Sequence, residues 1–271
     1  MEAFIYLIIF IIGSLFGSFF TLAVYRIPLA KDITHEHSFC PKCNHKLGFW
    51  DMIPILSYVF LGGKCRYCKE KIRPRYVLLE IFSGLVFLLF ALSIHINFYE
   101  LEISKIAYFL FGLLYLSTLF LIAGIDKEKR TVQKSVLLVG IITMGIYMMY
   151  LYIVEKANIY RYVIYLFLIC ITLLMESIYL KKTAKTSYSM QVLALCLYTT
   201  LFTGEYVFLL SVIMLFLVIC LTVLSRKIVA LYRRYKKSDE MIMNRFPFAF
   251  YFCICNIIML LVTNWYLMYI A

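Results

Sequence analysis

Charge is scarce in this chain. Of its 271 residues 15% are charged and 64% are hydrophobic, with a mean hydropathy of +0.89. A soluble domain of this size carries about a quarter charged residues, so the composition excludes one. Acidic residues are scarcer still, 15 against 27 Lys plus Arg, and only four are aspartates: Asp32, Asp51, Asp126 and Asp239. Carboxylate chemistry therefore has few places to reside. No internal repeat or low-complexity segment stands out, which excludes a solenoid or an extended linker. Prolines number five, and Pro54 and Pro74 punctuate the first long polar stretch, where they exclude long helices. The first apolar run follows Met-Glu rather than a basic segment, and no small-residue cleavage site comes after it. That pattern disfavours a signal peptide and favours a mature span.

What is present is apolar sequence in runs close to the roughly 20 residues that cross a bilayer. Eight spans are expected, at about 4–25, 76–96, 106–125, 135–154, 161–180, 188–204, 206–225 and 247–270. With the N-terminus outside, segments 26–75, 126–134, 181–187 and 226–246 face the cytoplasm. They hold 10, 4, 3 and 7 Lys plus Arg, which is 24 of the 27. Lys105, Lys156 and Arg161 stay on the outer side. The opposite orientation reverses that ratio, so the positive-inside rule selects this one. The net charge of +12 is then that of basic loops beside anionic headgroups, and nucleic acid is not an expected partner.

The polar stretch between the first two spans carries Cys40-Pro-Lys-Cys43 and Cys65-Arg-Tyr-Cys68, with 21 residues between the pairs. Two CxxC knuckles at such a separation can close a tetrahedral four-sulfur site around zinc. A reducing cytoplasm favours metal over disulfides there. The loop is too short to build a large apolar core, and a metal supplies the staple it needs. Its apolar residues Phe49, Trp50, Ile53, Leu56, Tyr58 and Phe60 are expected to pack on the knot or to lie at the bilayer interface. Gly62-Gly63 suits a sharp turn before Cys65. Cys170, Cys196, Cys220, Cys253 and Cys255 lie in apolar spans and are expected to be small buried hydrophobes. In the first span, Gly13-Ser14 and Gly17-Ser18 place small residues four apart, a signal for close helix packing.

Ionisable groups at membrane depth are costly and tend to be functional. Asp126 ends the third span in Ala-Gly-Ile-Asp-Lys. Its structural alternative is an interfacial carboxylate solvated beside Lys127. Glu80 opens the second span, where a carboxylate suits a helix N-terminus. Glu176 lies about one turn before Lys181, beside which it can snorkel. Glu205 falls on the outer side, out of reach of Asp126.

The first 80 residues resemble the type IV prepilin peptidases, the leader peptidase/N-methyltransferase family. The matching text runs Gly17-Ser18-Phe19, Tyr25-Arg26-Ile27-Pro28 and Cys40-Pro41-Lys42-Cys43. It continues through Trp50-Asp51-Met52-Ile53-Pro54-Ile55-Leu56-Ser57-Tyr58, Gly63-Lys64-Cys65-Arg66-Tyr67-Cys68 and Arg75-Tyr76-Val77-Leu78-Leu79-Glu80. Weaker similarity covers Gly124-Ile125-Asp126 and Phe246-Pro247-Phe248. The resemblance implies an all-α polytopic protein of the bacterial cytoplasmic membrane. Its expected parts are a first helix with a cytoplasmic zinc domain (1–75) and a seven-helix bundle (76–271).

The resemblance also implies two reactions. An aspartic endopeptidase cuts the leader from pilin or pseudopilin precursors at the cytoplasmic face, and S-adenosylmethionine then methylates the new N-terminus. In such chemistry two carboxylates share a proton and activate one water. Asp126 falls at the family's first catalytic aspartate. The second belongs to a Gly-x-Gly-Asp turn, but here Ser187-Tyr188-Ser189-Met190 stands in its place. Met190 takes the aspartate's position, and no other acid lies between Glu176 and Glu205. Glu176 is the candidate substitute, and Glu80 is a candidate for cofactor binding. Three readings follow. The chain is a working leader peptidase, or a degenerate member acting as methyltransferase or assembly factor, or a membrane protein whose zinc knot binds a cytosolic partner.

Overall fold

Apolar runs leave backbone N–H and C=O groups no water to bond, so each run closes its hydrogen bonds internally as helix. In a computed structural model, residues 2–33, 37–95, 102–183, 186–234 and 247–270 are described. Asp239, Phe246 and the basic residues between 235 and 246 lie outside them. The helices are α1 (Glu2–Arg26), α2 (Leu56–Phe60), α3 (Arg75–Ile94), α4 (Ile103–Lys129), α5 (Lys134–Ile153), α6 (Tyr160–Thr183), α7 (Tyr188–Arg234) and α8 (Phe248–Ile270). Among the described residues there is no strand, only two isolated bridges.

Seven of these helices are long and apolar enough to cross a membrane, all but the five-residue α2. The chain is a multi-pass membrane protein. The sixth and seventh expected spans fall within the single element α7. Their expected boundary coincides with Gly204, whose φ of 76° and ψ of 172° interrupt the helix. Only glycine adopts that backbone without strain. Beside the break, Glu205 accepts from Arg161 Nη1 (3.1 Å) and Tyr165 Oη (2.8 Å) at the start of α6.

Two compact units divide the chain: Met1–Ile125 with Asn264–Ala271, and Asp126–Thr263. In the first, α1 and α3 run antiparallel across small residues. Ser83 Oγ donates to the carbonyl of Gly13 at 2.8 Å. A Cβ on Gly13 would come within 2.8 Å of Gly84 Cα and 2.9 Å of Ser83 O, and one on Gly17 within 2.8 Å of Glu80 Cα. The paired small residues of α1 thus serve close approach. Phe20 stacks on Phe120 of α4, with ring centroids 5.5 Å apart.

Gly13→Val should destabilise the α1–α3 pair by about 1–3 kcal/mol, because the obstructing atoms are backbone and cannot move aside. Gly145→Ala meets open space and should stay within about 0.5 kcal/mol of the parent. Unfolding in mixed detergent micelles measures both, and equal stabilities would refute the close contact.

In the second unit the buried amide of Asn256 on α8 donates to Ser211 Oγ on α7 at 3.2 Å. This bond between spans satisfies two polar side chains where water is absent.

Candidate metal centre and candidate active site

The two CxxC pairs form two copies of one turn. The Cys40 N–H donates to His45 O (3.0 Å), and the Asn44 N–H donates back to Cys40 O (2.8 Å). At the second knuckle Cys65 donates to Glu70 O (2.8 Å), and Lys69 donates to Cys65 O (3.0 Å). Asn44 and Lys69 take positive φ, 55° and 59°, and isolated bridges Phe39–Lys46 and Lys64–Lys71 close the turns. Gly62 and Gly63, at φ 58° and 67°, instead turn the chain from α2 into the second knuckle. Asn44 and Lys69 are the tight positions that the sequence reading missed. Asn tolerates such a backbone, and Lys69 carries no residue-type signal for it.

All four Sγ atoms lie within 4.8 Å of one another, with Cys40 and Cys65 buried and Cys43 and Cys68 exposed. The Cys40–Cys68 separation is 3.9 Å. A tetrahedral ion with Zn–S near 2.3 Å sets sulfurs about 3.8 Å apart, so the four thiols fit zinc. The Cys43 backbone N–H, against some desolvation, draws the Cys40 thiol down to about 7. At Cys68 the Glu70 N–H acts downward, but desolvation and the neighbouring thiols prevail and push it up to about 11. The Cys40 thiolate thus forms readily, and that of Cys68 does not without a cation to neutralise it.

The loop holding these cysteines is fastened at two points. Arg26, at the end of α1 and only 4% exposed, donates to Asp32 O (3.0 Å) and His37 O (3.3 Å). Glu80 Oε2, on α3, accepts the N–H of Ile55 at 2.8 Å. Asp51 joins the second knuckle, accepting from Arg66 Nε at 2.6 Å. Burial alone would raise the Asp51 carboxyl, but the Arg66 and Gly48 hydrogen bonds hold it below its usual range.

Asp126 is not solvated beside Lys127. Its side chain is fully buried, and Lys127 Nζ lies over the ring of Phe250 at 4.8 Å. Asp126 Oδ2 accepts the N–H of Phe250, and Oδ1 accepts the hydroxyl of Tyr188, both at 2.9 Å. The same Tyr188 oxygen accepts the N–H of Ala249 at 3.1 Å. Ala249 and Phe250 open α8, whose first amides have no partner within the helix. The carboxylate is therefore a cap delivered from α4, placed where the helix dipole favours negative charge. Two weakly matching sequence pieces, around Asp126 and Pro247, meet here. Arg130 turns back at φ 57°, donating its N–H to Asp126 O (2.9 Å). Its buried Nη1 has no acceptor among the described residues.

Glu176 is buried too, at 1% exposure. It pairs with Lys134 Nζ at 3.3 Å instead of snorkelling beside Lys181, and accepts Gln191 Nε2 at 2.8 Å. Gln191 Oε1 in turn accepts the Val132 N–H at 3.1 Å. The structure brings Asp126 together with Tyr188 and the start of α8, and Glu176 together with Lys134 and Gln191. Among the described residues neither carboxylate is a hydrogen-bond partner of the other. Met190, between Tyr188 and Gln191 on the first turn of α7, is half-buried. Sequence reasoning missed Tyr188, Gln191 and Lys134. Gln191, polar at the mouth of an apolar run, was the signal available.

Residues 11–94 match the family described as Bacterial Peptidase A24 N-terminal domain. Several curated relatives bear the name prepilin leader peptidase/N-methyltransferase. One from Vibrio cholerae is 45% identical over 87 residues, covering 29% of this chain and 34% of that protein. One from Klebsiella pneumoniae is 32% identical over 136 residues, 48% of this chain and 56% of that protein. One from Myxococcus xanthus is 39% identical over 79 residues, 29% of this chain and 24% of that protein. The chain thus spans between about a quarter and just over half of the length of these relatives. No solved structure matches it.

Proposed function

We propose, for a chain that belongs through residues 11–94 to the prepilin leader peptidase/N-methyltransferase family, that it handles type IV prepilins or pseudopilins. The setting is the cytoplasmic face of the bacterial inner or plasma membrane. The observation that carries this reading is the four-thiol cluster inside the matched region. Zinc held by Cys40, Cys43, Cys65 and Cys68 staples the loop and takes no part in bond breaking. The distribution of basic residues supports a cytoplasmic loop and an outer N-terminus.

In this reading Asp126 is the carboxylate of leader cleavage. As base it would take a proton from the attacking water, while a second, protonated acid polarises the scissile carbonyl. Methylation would draw its methyl group from S-adenosylmethionine, with Glu80 as the candidate on this chain for binding it.

One observation favours the second reading, a member that binds prepilins without cutting them and serves as methyltransferase or assembly factor. Asp126 has Tyr188 and a helix end for partners, Met190 offers no proton, and Glu176 is held by Lys134 and Gln191. A tyrosine can orient a carboxylate but does not share its proton as a second carboxyl does.

Incubating the purified protein with a full-length prepilin and S-adenosylmethionine, read by mass spectrometry, tests both. On the second reading the leader mass is retained by the parent, and Met190→Asp creates or raises cleavage. Parent cleavage that disappears in Asp126→Asn establishes the first reading instead. Cleavage unchanged in Asp126→Asn would remove Asp126 from the chemistry.

A further inference from the structure

The cysteine loop carries an apolar ridge that no described residue covers. Phe49 and Trp50 are each 73% exposed, Val59 64% and Phe60 83%. Leu56 joins them on α2 at 51%. Phe49 and Trp50 sit edge to face, with centroids 5.8 Å apart. In a loop facing only water, such a patch would be an aggregation liability.

Three observations say what covers it. The first is depth. The loop's backbone at Ile55 is bonded to Glu80, five residues inside the membrane helix α3, which is about 7.5 Å along its axis. Gly17 of α1 packs against the same turn of α3, where a Cβ on it would come within 2.8 Å of Glu80 Cα. The residue just before α2 is thus held level with the interior turns of two spans. The second is conformation. Ile55 has φ 62°, a backbone that β-branched residues avoid. It turns the chain sharply at the point where Leu56–Phe60 begins. The third is charge. Lys42, Lys46, Lys64, Lys69, Lys71 and Arg73 are all exposed. The acids between 37 and 75 are Glu70 and Asp51, and Asp51 is already paired with Arg66.

We propose that Phe49, Trp50, Leu56, Val59 and Phe60 seat in the headgroup layer of the bilayer that the chain spans, with the loop's lysines against anionic phospholipid. Aromatic residues favour that layer, where the ring is buried and its polar edge stays wet. Basic side chains near the surface add attraction to anionic lipid. The ridge is thereby an anchor that holds the metal centre flat against one leaflet.

The test uses the full-length, metal-loaded chain with Trp265→Phe, which leaves Trp50 as the single tryptophan of the two in the sequence. It is placed in nanodiscs of phosphatidylcholine with or without phosphatidylglycerol, the acyl chains brominated near the headgroup or near the tail. Trp50 emission is expected to be blue-shifted, quenched by shallow bromines and sheltered from aqueous acrylamide. Withdrawing phosphatidylglycerol should raise acrylamide quenching. If Trp265→Phe folds poorly, the difference between the parent and Trp50→Phe spectra gives the same signal. Water-like emission, open to acrylamide and blind to brominated lipid, overturns the proposal. So does protection that arises only when prepilin is added or as protein concentration is raised, which would assign the ridge to a peptide or a second copy.

Discussion

Asp126→Ala should lose about 3–5 kcal/mol of stability, and Asp126→Asn about 1–2. The side chain is fully buried and receives two donors, the Phe250 N–H and the Tyr188 hydroxyl. Alanine leaves both without an acceptor, and each buried bond to a charged group contributes about 1.5–3 kcal/mol. Removal of the cap from α8 is included in that figure, since the Phe250 amide is one of its unpaired first-turn groups. Asparagine keeps one acceptor oxygen, and its amide can donate to the Tyr188 oxygen, so most of the geometry survives. Unfolding by denaturant in mixed micelles gives the two values. A parent-like Asp126→Ala would show that the contacts at α8 carry no stability. The difference between the two variants also matters for function. Asparagine tests chemistry on a largely intact fold, whereas loss of activity in the alanine variant would report a collapsed cap.

That cap explains why the chain's local sequence misleads about its central acid. Ala-Gly-Ile-Asp-Lys at the end of an apolar run reads as a carboxylate emerging into water. Its partners lie 62 and 124 residues away, and no periodicity or spacing reports them. Glu176 misleads in the same manner. The nearby Lys181 suggests a partner one turn on, but Lys134 and Gln191 supply the contacts from other helices. The spans were legible because a bilayer permits a long apolar run few structures besides a helix. The Gly204 boundary was legible because a glycine between polar Thr203 and Glu205 interrupts that run. The cysteine cluster was legible because zinc ligation constrains spacing in sequence as well as in space. The exposure of Phe49, Trp50 and Phe60 was not, because packing on the knot and lying at the interface give the same composition. Their exposure, the tie between Ile55 and Glu80, the bend at Ile55 and the exposed lysines bear on that choice, and all four come from the folded chain.

Removal of one cysteine of the four-thiol cluster is expected to have the larger consequence for the loop. Between residues 27 and 74 the buried described residues are Cys40, Gly63 and Cys65 alone. Two thiols and a glycine are no core, so the fold of this segment depends on whatever joins its four sulfurs. Binding of structural zinc is folding free energy, about 10–16 kcal/mol in small four-ligand domains near neutral pH. Cys43 is exposed, so Cys43→Ser removes a ligand with little loss of packing. Zinc should then bind at least about 100-fold more weakly, and the loop should become open to trypsin at its many lysines while the spans remain protected. A strong chelator acting on the parent should give the same cleavage pattern. Acidification should release the metal as well, because protons compete with zinc for the thiolates. Cys255→Ser, in a buried cysteine remote in sequence from the cluster, serves as the control and should retain stoichiometric zinc. The measurements are elemental analysis and limited proteolysis in the same detergent. Full zinc content in Cys43→Ser, or a loop equally resistant before and after chelation, would show that something besides a four-thiolate metal centre holds this segment folded.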